Sequence, residues 1–233
     1  MKFKKMLFIC LSVVMSIIPN SFALANVKTP TTILSSVFPT SSLTRAEYED
    51  WFFENQDENA IEKYNSLTDE QKDKLVSYLS DPYLLIDTLE ANITPNSSRV
   101  FNNGDLIVSV EEVIENLSEE TIKAATQTVK ATYVRTTSIF GLKVFETTAW
   151  IQYTHNGSEI ISIDGSNIFT SVNWYVIFKA VYSGKTTWKT TTTAYASSDI
   201  VWEVSIEDYG VTTGSNYIRV SGNTSNTAGG YYE

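Results

Sequence analysis

Residues 150–163 read WIQYTHNGSEIISI and decide the fold class. Asn156-Gly157 can supply the two positive φ angles of a type I′ turn, and β-branched and aromatic residues flank it on both sides. The stretch therefore predicts an antiparallel hairpin with a two-residue turn. The predicted register pairs His155 with Ser158, Tyr153 with Ile160, Ile151 with Ser162, Gln152 with Ile161, and Trp150 with Ile163.

The sequence around this hairpin has the composition of antiparallel β structure from residue 128 to the end. Residues 174–182, WYVIFKAVY, are apolar on both faces and predict a central, covered strand. Residues 200–207, IVWEVSIE, alternate and predict a strand with one solvated face. About seven or eight strands are expected. A sandwich or small barrel would cover the faces and edges of so many strands.

Residues 43–127 instead predict a helical region, with two or three amphipathic helices in 43–91. The signals for helix starts are Thr44 with Glu47, Thr68 with Gln71, and Asp81 with Pro82. Residues 106–117, LIVSVEEVIENL, fit either a strand or a helix, and Ser118 could begin a further helix. The predicted fold class is α+β, with an acidic N-terminal helical region followed by an antiparallel β domain at 128–233.

The first 25 residues predict a secretory signal peptide. Lys2, Lys4 and Lys5 precede a short apolar run, and residues 23–25 form the small-x-small pattern that signal peptidase cleaves. Cleavage is expected between Ala25 and Asn26, which would remove Cys10, the only cysteine. Residues 26–42 would then form a linker rich in Ser, Thr and Pro. We expect a secreted, extracellular protein with no transmembrane anchor after processing.

The charge is concentrated in one half of the chain. The whole sequence has 17 basic and 27 acidic residues, for a net charge of -10. Residues 26–120 carry 6 basic and 19 acidic residues, whereas residues 121–233 carry 8 of each. Nucleic acid is therefore not an expected partner, because it is bound mainly by Lys and Arg. This exclusion is firmest for the acidic half.

No catalytic, cofactor-binding or metal-binding constellation is predicted. His155 is interpreted as a solvent-exposed turn residue, and the nucleophile-elbow, zinc-protease and phosphate-loop motifs are absent. Glu203 and Glu207 share a strand face but would lie about 13 Å apart, too far for a pair of glycosidase carboxylates. Asn55, Asp57 and Asn59 match the first ligand positions of an EF-hand loop, but Ala60 and Ser66 stand where that loop needs Gly and Glu. Asp164 could belong only to a looser calcium site.

The aromatic residues after residue 128 are expected to form the core in the main, with Trp188 and Tyr195 as candidate ligand contacts. Both lie in 186–196, TTWKTTTTAYA, a Thr-rich segment with little to bury, and as one strand it would place them on opposite faces. A displayed aromatic side chain could stack on a sugar ring. The same segment is also long enough for one strand of a membrane-inserting hairpin.

Two strings, SLTDEQKDKLVSYLSDP at 66–82 and IFGLKVFETTAWIQYTHNGSEI at 139–160, carry a family resemblance. Together with the lysine-rich signal, they resemble secreted proteins of Gram-positive bacteria, some of them bacteriocin-like. The resemblance implies a bacterial extracellular protein with an antibacterial or surface-interaction role. Because no catalytic constellation is predicted, we expect it to be non-enzymatic. The alternatives are a membrane-active β-hairpin toxin and a glycan-binding or glycan-hydrolysing protein. The sequence does not specify the partner or the oligomeric state.

Overall fold

The structure is a computed structural model that describes residues 43–118, 126–176, 178–206 and 209–233. The predicted signal peptide, its cleavage site at Ala25 and Asn26, and the linker 26–42 lie outside these residues. So does most of the helix that Ser118 was expected to begin.

Four helices open the described chain, and the predicted capping signals begin three of them. Thr44 and Thr68 each form a capping box, and the Asp81 carboxylate accepts hydrogen bonds from the N–H groups of Tyr83 and Leu84. The helices are α1 (Arg45–Asn55), α2 (Glu58–Asn65), α3 (Asp69–Leu79) and α4 (Pro82–Leu89).

Among the described residues, nine antiparallel strands form two sheets, and their order in each sheet follows the sequence. The five-stranded sheet A contains β1 (Ser97–Phe101), β2 (Leu106–Asn116), β3 (Gln127–Ile139), β4 (Leu142–His155) and β5 (Ile160–Asn173). The four-stranded sheet B contains β6 (Phe178–Lys189), β7 (Thr193–Ile206), β8 (Tyr209–Asn223) and β9 (Ala228–Tyr232). The two sheets share one hydrophobic core, so the architecture is sandwich-like, as predicted.

Two details of the β prediction are wrong. Strands begin at Ser97, so 97–116 belongs to sheet A and not to a helical region reaching residue 127. Residues 174–182 do not form one central strand, because 174–176 connect the two sheets and β6 is an edge of sheet B. Trp174 and Tyr175 in this connection are buried nonetheless, which accounts for the apolar run.

The hairpin at Asn156-Gly157 is confirmed, but its register is wrong. His155 pairs with Ile160, Tyr153 with Ile163, and Ile151 with Ser166. The loop therefore spans four residues, 156–159. The Asn156 side chain stabilises this longer loop, because it accepts hydrogen bonds from the N–H groups of Ser158 and Glu159. Three register shifts along β4 and β5 then displace the later pairs.

The helices pack against the connection between the sheets. Phe52 of α1 packs edge-on against Trp174 with ring centroids 4.9 Å apart, and the Tyr48 hydroxyl donates to the Trp174 carbonyl at 3.3 Å. Tyr78 of α3 stacks on Phe140 in the β3–β4 turn. Helices and sheets therefore fold around one continuous core.

No helix among the described residues has both the length and the apolar character needed to cross a membrane.

Glu112 on β2 gives the stability of this fold a pH dependence. Its Oε1 is buried and has no hydrogen-bond partner among the described residues. Burial raises the pKa of this carboxyl above its ordinary value of 4.5, although a hydrogen bond from the Gly230 backbone opposes the shift. The folded chain then binds this proton more tightly than the unfolded chain does. Stability should therefore fall as the pH rises from below 4.5 through the folded-state pKa.

Glu112→Gln should remove this loss, because it keeps the shape of the side chain without its charge. We expect the variant to be more stable than the wild type at about pH 7, by less than about 1 kcal/mol, and equal to it at about pH 3. Urea unfolding at both pH values measures this. Glu111→Gln, an exposed neighbour on the same strand, is the matched control. Equal pH profiles for the wild type and Glu112→Gln would contradict the assignment.

Candidate functional site

The outer face of sheet B carries a row of aromatic side chains. Along β7, Ala194 and Ala196 point into the core and are buried, so Tyr195 between them points outward. The register pairs Tyr195 with Trp188 of β6. Trp188 is 38% exposed, the kind of display that the sequence predicted for it.

Trp188 and Tyr195 lie on the same face, and the prediction of opposite faces is wrong. The segment 186–196 is a hairpin and not a single strand, because β6 ends at Lys189 and β7 begins at Thr193. The two rings therefore face each other across neighbouring strands. Their centroids are 5.0 Å apart and their planes differ by 9°, a parallel stack.

Arg219 on β8 extends this stack. Its guanidinium carbon lies 5.7 Å from the centre of the Tyr195 ring and 5.4 Å from that of Tyr231 on β9. Tyr217, two residues before Arg219, meets the Tyr231 ring edge-on at 6.4 Å. These five residues are called the aromatic patch: Trp188, Tyr195, Tyr217, Arg219 and Tyr231.

The aromatic patch is both accessible and polar at its borders. Tyr231 is 40% exposed, and its hydroxyl donates a hydrogen bond to the Glu233 carboxylate, which raises the pKa of Tyr231. Asp199 is exposed and pairs with Tyr217 on the outer side of sheet B. None of the ion pairs in the described part of the chain includes Arg219. Its donors therefore remain available beside the rings.

A shallow pocket lies one register row away from the Trp188–Tyr195 stack. Its volume is about 100 Å³, and its lining includes Asn167, Lys185, Thr186 and Ser197. Thr186 and Ser197 bond to each other through their hydroxyls at 2.9 Å. The lining also includes Ile168 of β5 and Ala196, which are buried in the core, so the pocket reaches from β5 to sheet B and is not part of the outer face that carries the aromatic patch.

Sequence reasoning found two of the five patch residues. Tyr217 and Arg219 alternate with the buried Ile218 and Val220, so a period-two pattern could have placed them on an outer face. No local pattern could have placed Tyr231 beside them, because that contact depends on how β9 pairs with β8.

His155 is buried, and its interpretation as an exposed turn residue is wrong. It is 2% exposed, and its Nε2 lies 2.8 Å from Oδ1 of Asn226 in the β8–β9 turn. Its Nδ1 accepts a hydrogen bond from the N–H of Gly157 at 3.0 Å. The partner that buries it comes from a distant part of the sequence, which is why a local interpretation failed.

The remaining candidate residues do not form a catalytic or metal constellation among the described residues. Glu203 pairs with Lys179 across the sheet, while Glu207 lies outside those residues. Asp57 caps α2, and Asp164 accepts hydrogen bonds from the hydroxyls of Thr154 and Ser162. No group of three metal-ligating side chains occurs in the part of the chain that the structure describes.

Comparison of the chain with protein-family models, with curated proteins and with solved structures finds no match.

Proposed function

We propose that this chain is a secreted, non-enzymatic binding protein that recognises an extracellular glycan through the aromatic patch. The observation that carries the proposal is the exposed Trp188–Tyr195 stack, continued by Arg219 and Tyr231 across all four strands of sheet B. Aromatic rings on an accessible face bind the apolar faces of sugar rings, and the predicted signal peptide would bring the protein to where such sugars occur.

The charges around the aromatic patch favour an uncharged sugar. Arg219 supplies donors, while Asp199 and Glu233 flank Tyr217, two residues further along β8 on the same face. A guanidinium and carboxylates together match the donor and acceptor positions of sugar hydroxyls, whereas a strongly charged ligand would meet like charge on one side.

The length of the aromatic patch favours a short chain of sugars over a single ring. Trp188 is on β6 and Tyr231 is on β9, three strand spacings apart, or about 14 Å. The ligand would lie across the strands and contact the rings in turn. An oligosaccharide of a cell wall or another surface polysaccharide fits this extent, in agreement with a surface-interaction role.

Trp188→Ala and Tyr195→Ala should each weaken glycan binding about tenfold. Trp188→Ala removes an exposed ring, and Tyr195→Ala removes the ring that packs between Trp188 and Arg219 and holds both in place. Retention of the purified chain on a panel of insoluble polysaccharides, followed by titration with the soluble oligosaccharide, measures the effect. Tyr83→Ala, on an exposed aromatic residue of α4, is the matched control and should bind like the wild type.

The same assay should score release of reducing ends, since a hydrolase would produce them and a binder would not. Retention without release supports the proposal. Absence of retention on every polysaccharide, or retention that Trp188→Ala leaves unchanged, would refute it.

The membrane-active alternative is not the function that we propose. It relied on 186–196 as one strand, but these residues include a turn, with Thr190 N–H donating to the Thr193 carbonyl. Ala194 and Ala196 also face the core of the sandwich.

A further inference from the structure

The 156–159 loop surrounds the side-chain amide of Asn156 with groups that activate it. Its Oδ1 accepts hydrogen bonds from two backbone N–H groups, those of Ser158 and Glu159, both at 2.9 Å. Two such donors on one carbonyl oxygen stabilise the negative charge that develops there when a nucleophile adds to the carbon.

A base lies beside the nearest nucleophile. The Gly157 N–H donates to Nδ1 of His155 at 3.0 Å, so Nδ1 carries a lone pair and the ring proton is on Nε2. Asn226 Oδ1, 2.8 Å from Nε2, accepts that proton's hydrogen bond and orients the ring. A base that contacts the proton it would remove, and is held by a third group, is the arrangement of assisted nucleophilic attack.

We propose that the 156–159 loop is a self-modification site at which Asn156 deamidates. His155 Nδ1 takes the proton of the Gly157 amide as that nitrogen bonds to Asn156 Cγ. The C–N bond to Nδ2 then breaks, and ammonia leaves with the proton from His155, which gives a five-membered succinimide. Water opens this ring to an aspartyl residue or to its isoaspartyl isomer. The net reaction consumes one water and releases one ammonia.

Gly157 favours the reaction because it has no side chain to obstruct the ring. It also has a positive φ of 86°, which a side chain would strain. The aspartyl product of ring opening would accept the same two backbone hydrogen bonds with a full negative charge, and charge-assisted bonds are stronger than neutral ones. The loop therefore stabilises its own aspartyl product.

The chain contains an internal control for this chemistry. Asn103-Gly104 is the other Asn-Gly sequence, and it lies in the β1–β2 turn. The sequence has a single histidine, so Asn103 has no equivalent of His155. Any intrinsic tendency of Asn-Gly to deamidate applies to both sites, whereas the proposed assistance applies only to Asn156.

The test compares both sites in the folded chain and in concentrated urea at neutral pH, with the amide-to-acid conversion followed by peptide mapping and mass spectrometry. Asn156 should convert about tenfold faster in the folded chain than in urea. This factor is smaller than the rate enhancement that a positioned base and an oxyanion site usually contribute. Asn103 should show no such acceleration. A folded-state rate at Asn156 equal to or below its rate in urea would overturn the proposal.

His155→Gln tests the role of the base, since Gln can form hydrogen bonds but cannot accept the proton as a base. The folded-state acceleration at Asn156 should disappear while the rate at Asn103 stays unchanged. Full acceleration in a folded His155→Gln variant would overturn the assignment of His155. If that variant does not fold, the comparison of the folded wild type with the wild type in urea still decides whether the fold accelerates deamidation at Asn156.

Discussion

Replacing Arg135 with Met should lower the free energy of unfolding by about 3 kcal/mol. Arg135 on β3 is 5% exposed, and one guanidinium nitrogen, Nη2, donates to three carbonyls at or just beyond the end of α4. They are those of Thr88, Leu89 and Ala91, at 2.7, 3.3 and 2.9 Å. The last carbonyls of a helix lack partners within it and form the negative end of its dipole, so a buried cation there is stabilised without a carboxylate.

The loss in Arg135→Met would come from leaving these carbonyls buried without a donor. The Tyr232 ring, whose centre lies 4.4 Å from the guanidinium carbon, would also lose its cation contact. Equilibrium urea unfolding measures the change. Arg99→Met is the control, because Arg99 is exposed on edge strand β1 and also lies over an aromatic ring, that of Phe101. A cost within about 0.5 kcal/mol of the control would show that Arg135 does not hold α4 to sheet A.

The features that the sequence predicted correctly depend on local interactions. Thr44, Thr68 and Asp81 begin their helices because their partners lie within the next three residues. The hairpin at Asn156-Gly157 is predictable for the same reason. The register of this hairpin is not predictable from local sequence. The loop length depends on the hydrogen bonds between the Asn156 side chain and the backbone, and the nearby bulges depend on both neighbouring strands.

The features that the sequence missed depend on contacts between distant segments. The turn between Lys189 and Thr193 contains only threonines and lacks the Gly, Asn or Pro that usually mark a hairpin. Without that turn, Trp188 and Tyr195 could not be placed on one face. His155 is buried by Asn226, and Arg135 is buried by the end of α4, and neither partner is near in sequence. The aromatic patch was therefore only partly predictable.

Gly230→Ala adds one methyl group to β9 and should lower the free energy of unfolding by about 3 kcal/mol or more, the largest loss that a single added methyl group causes in this strand. A Cβ at Gly230 would overlap Cδ2 of the Tyr133 ring, so one of the two must move. Tyr133 is 2% exposed and packed in the core, so its ring can move only by displacing neighbouring side chains. Strand β9 would then separate from sheet A, and Tyr232 would be drawn away from Arg135.

Gly229→Ala is the control, since its Cβ would meet only the Ser221 hydroxyl, which can rotate away, and a cost below about 1 kcal/mol is expected. Tyr133→Leu provides the test of mechanism. If the ring is what the new methyl strikes, Gly230→Ala should cost at least about 1 kcal/mol less in the Tyr133→Leu background than in the wild type. Urea unfolding can measure the double-mutant cycle even if Gly230→Ala alone does not fold. Its cost is then at least the wild-type free energy of unfolding, and subtracting the cost measured in the Tyr133→Leu background gives a lower bound on the coupling. Equal costs in the two backgrounds would mean that β9 does not lie closely on β3.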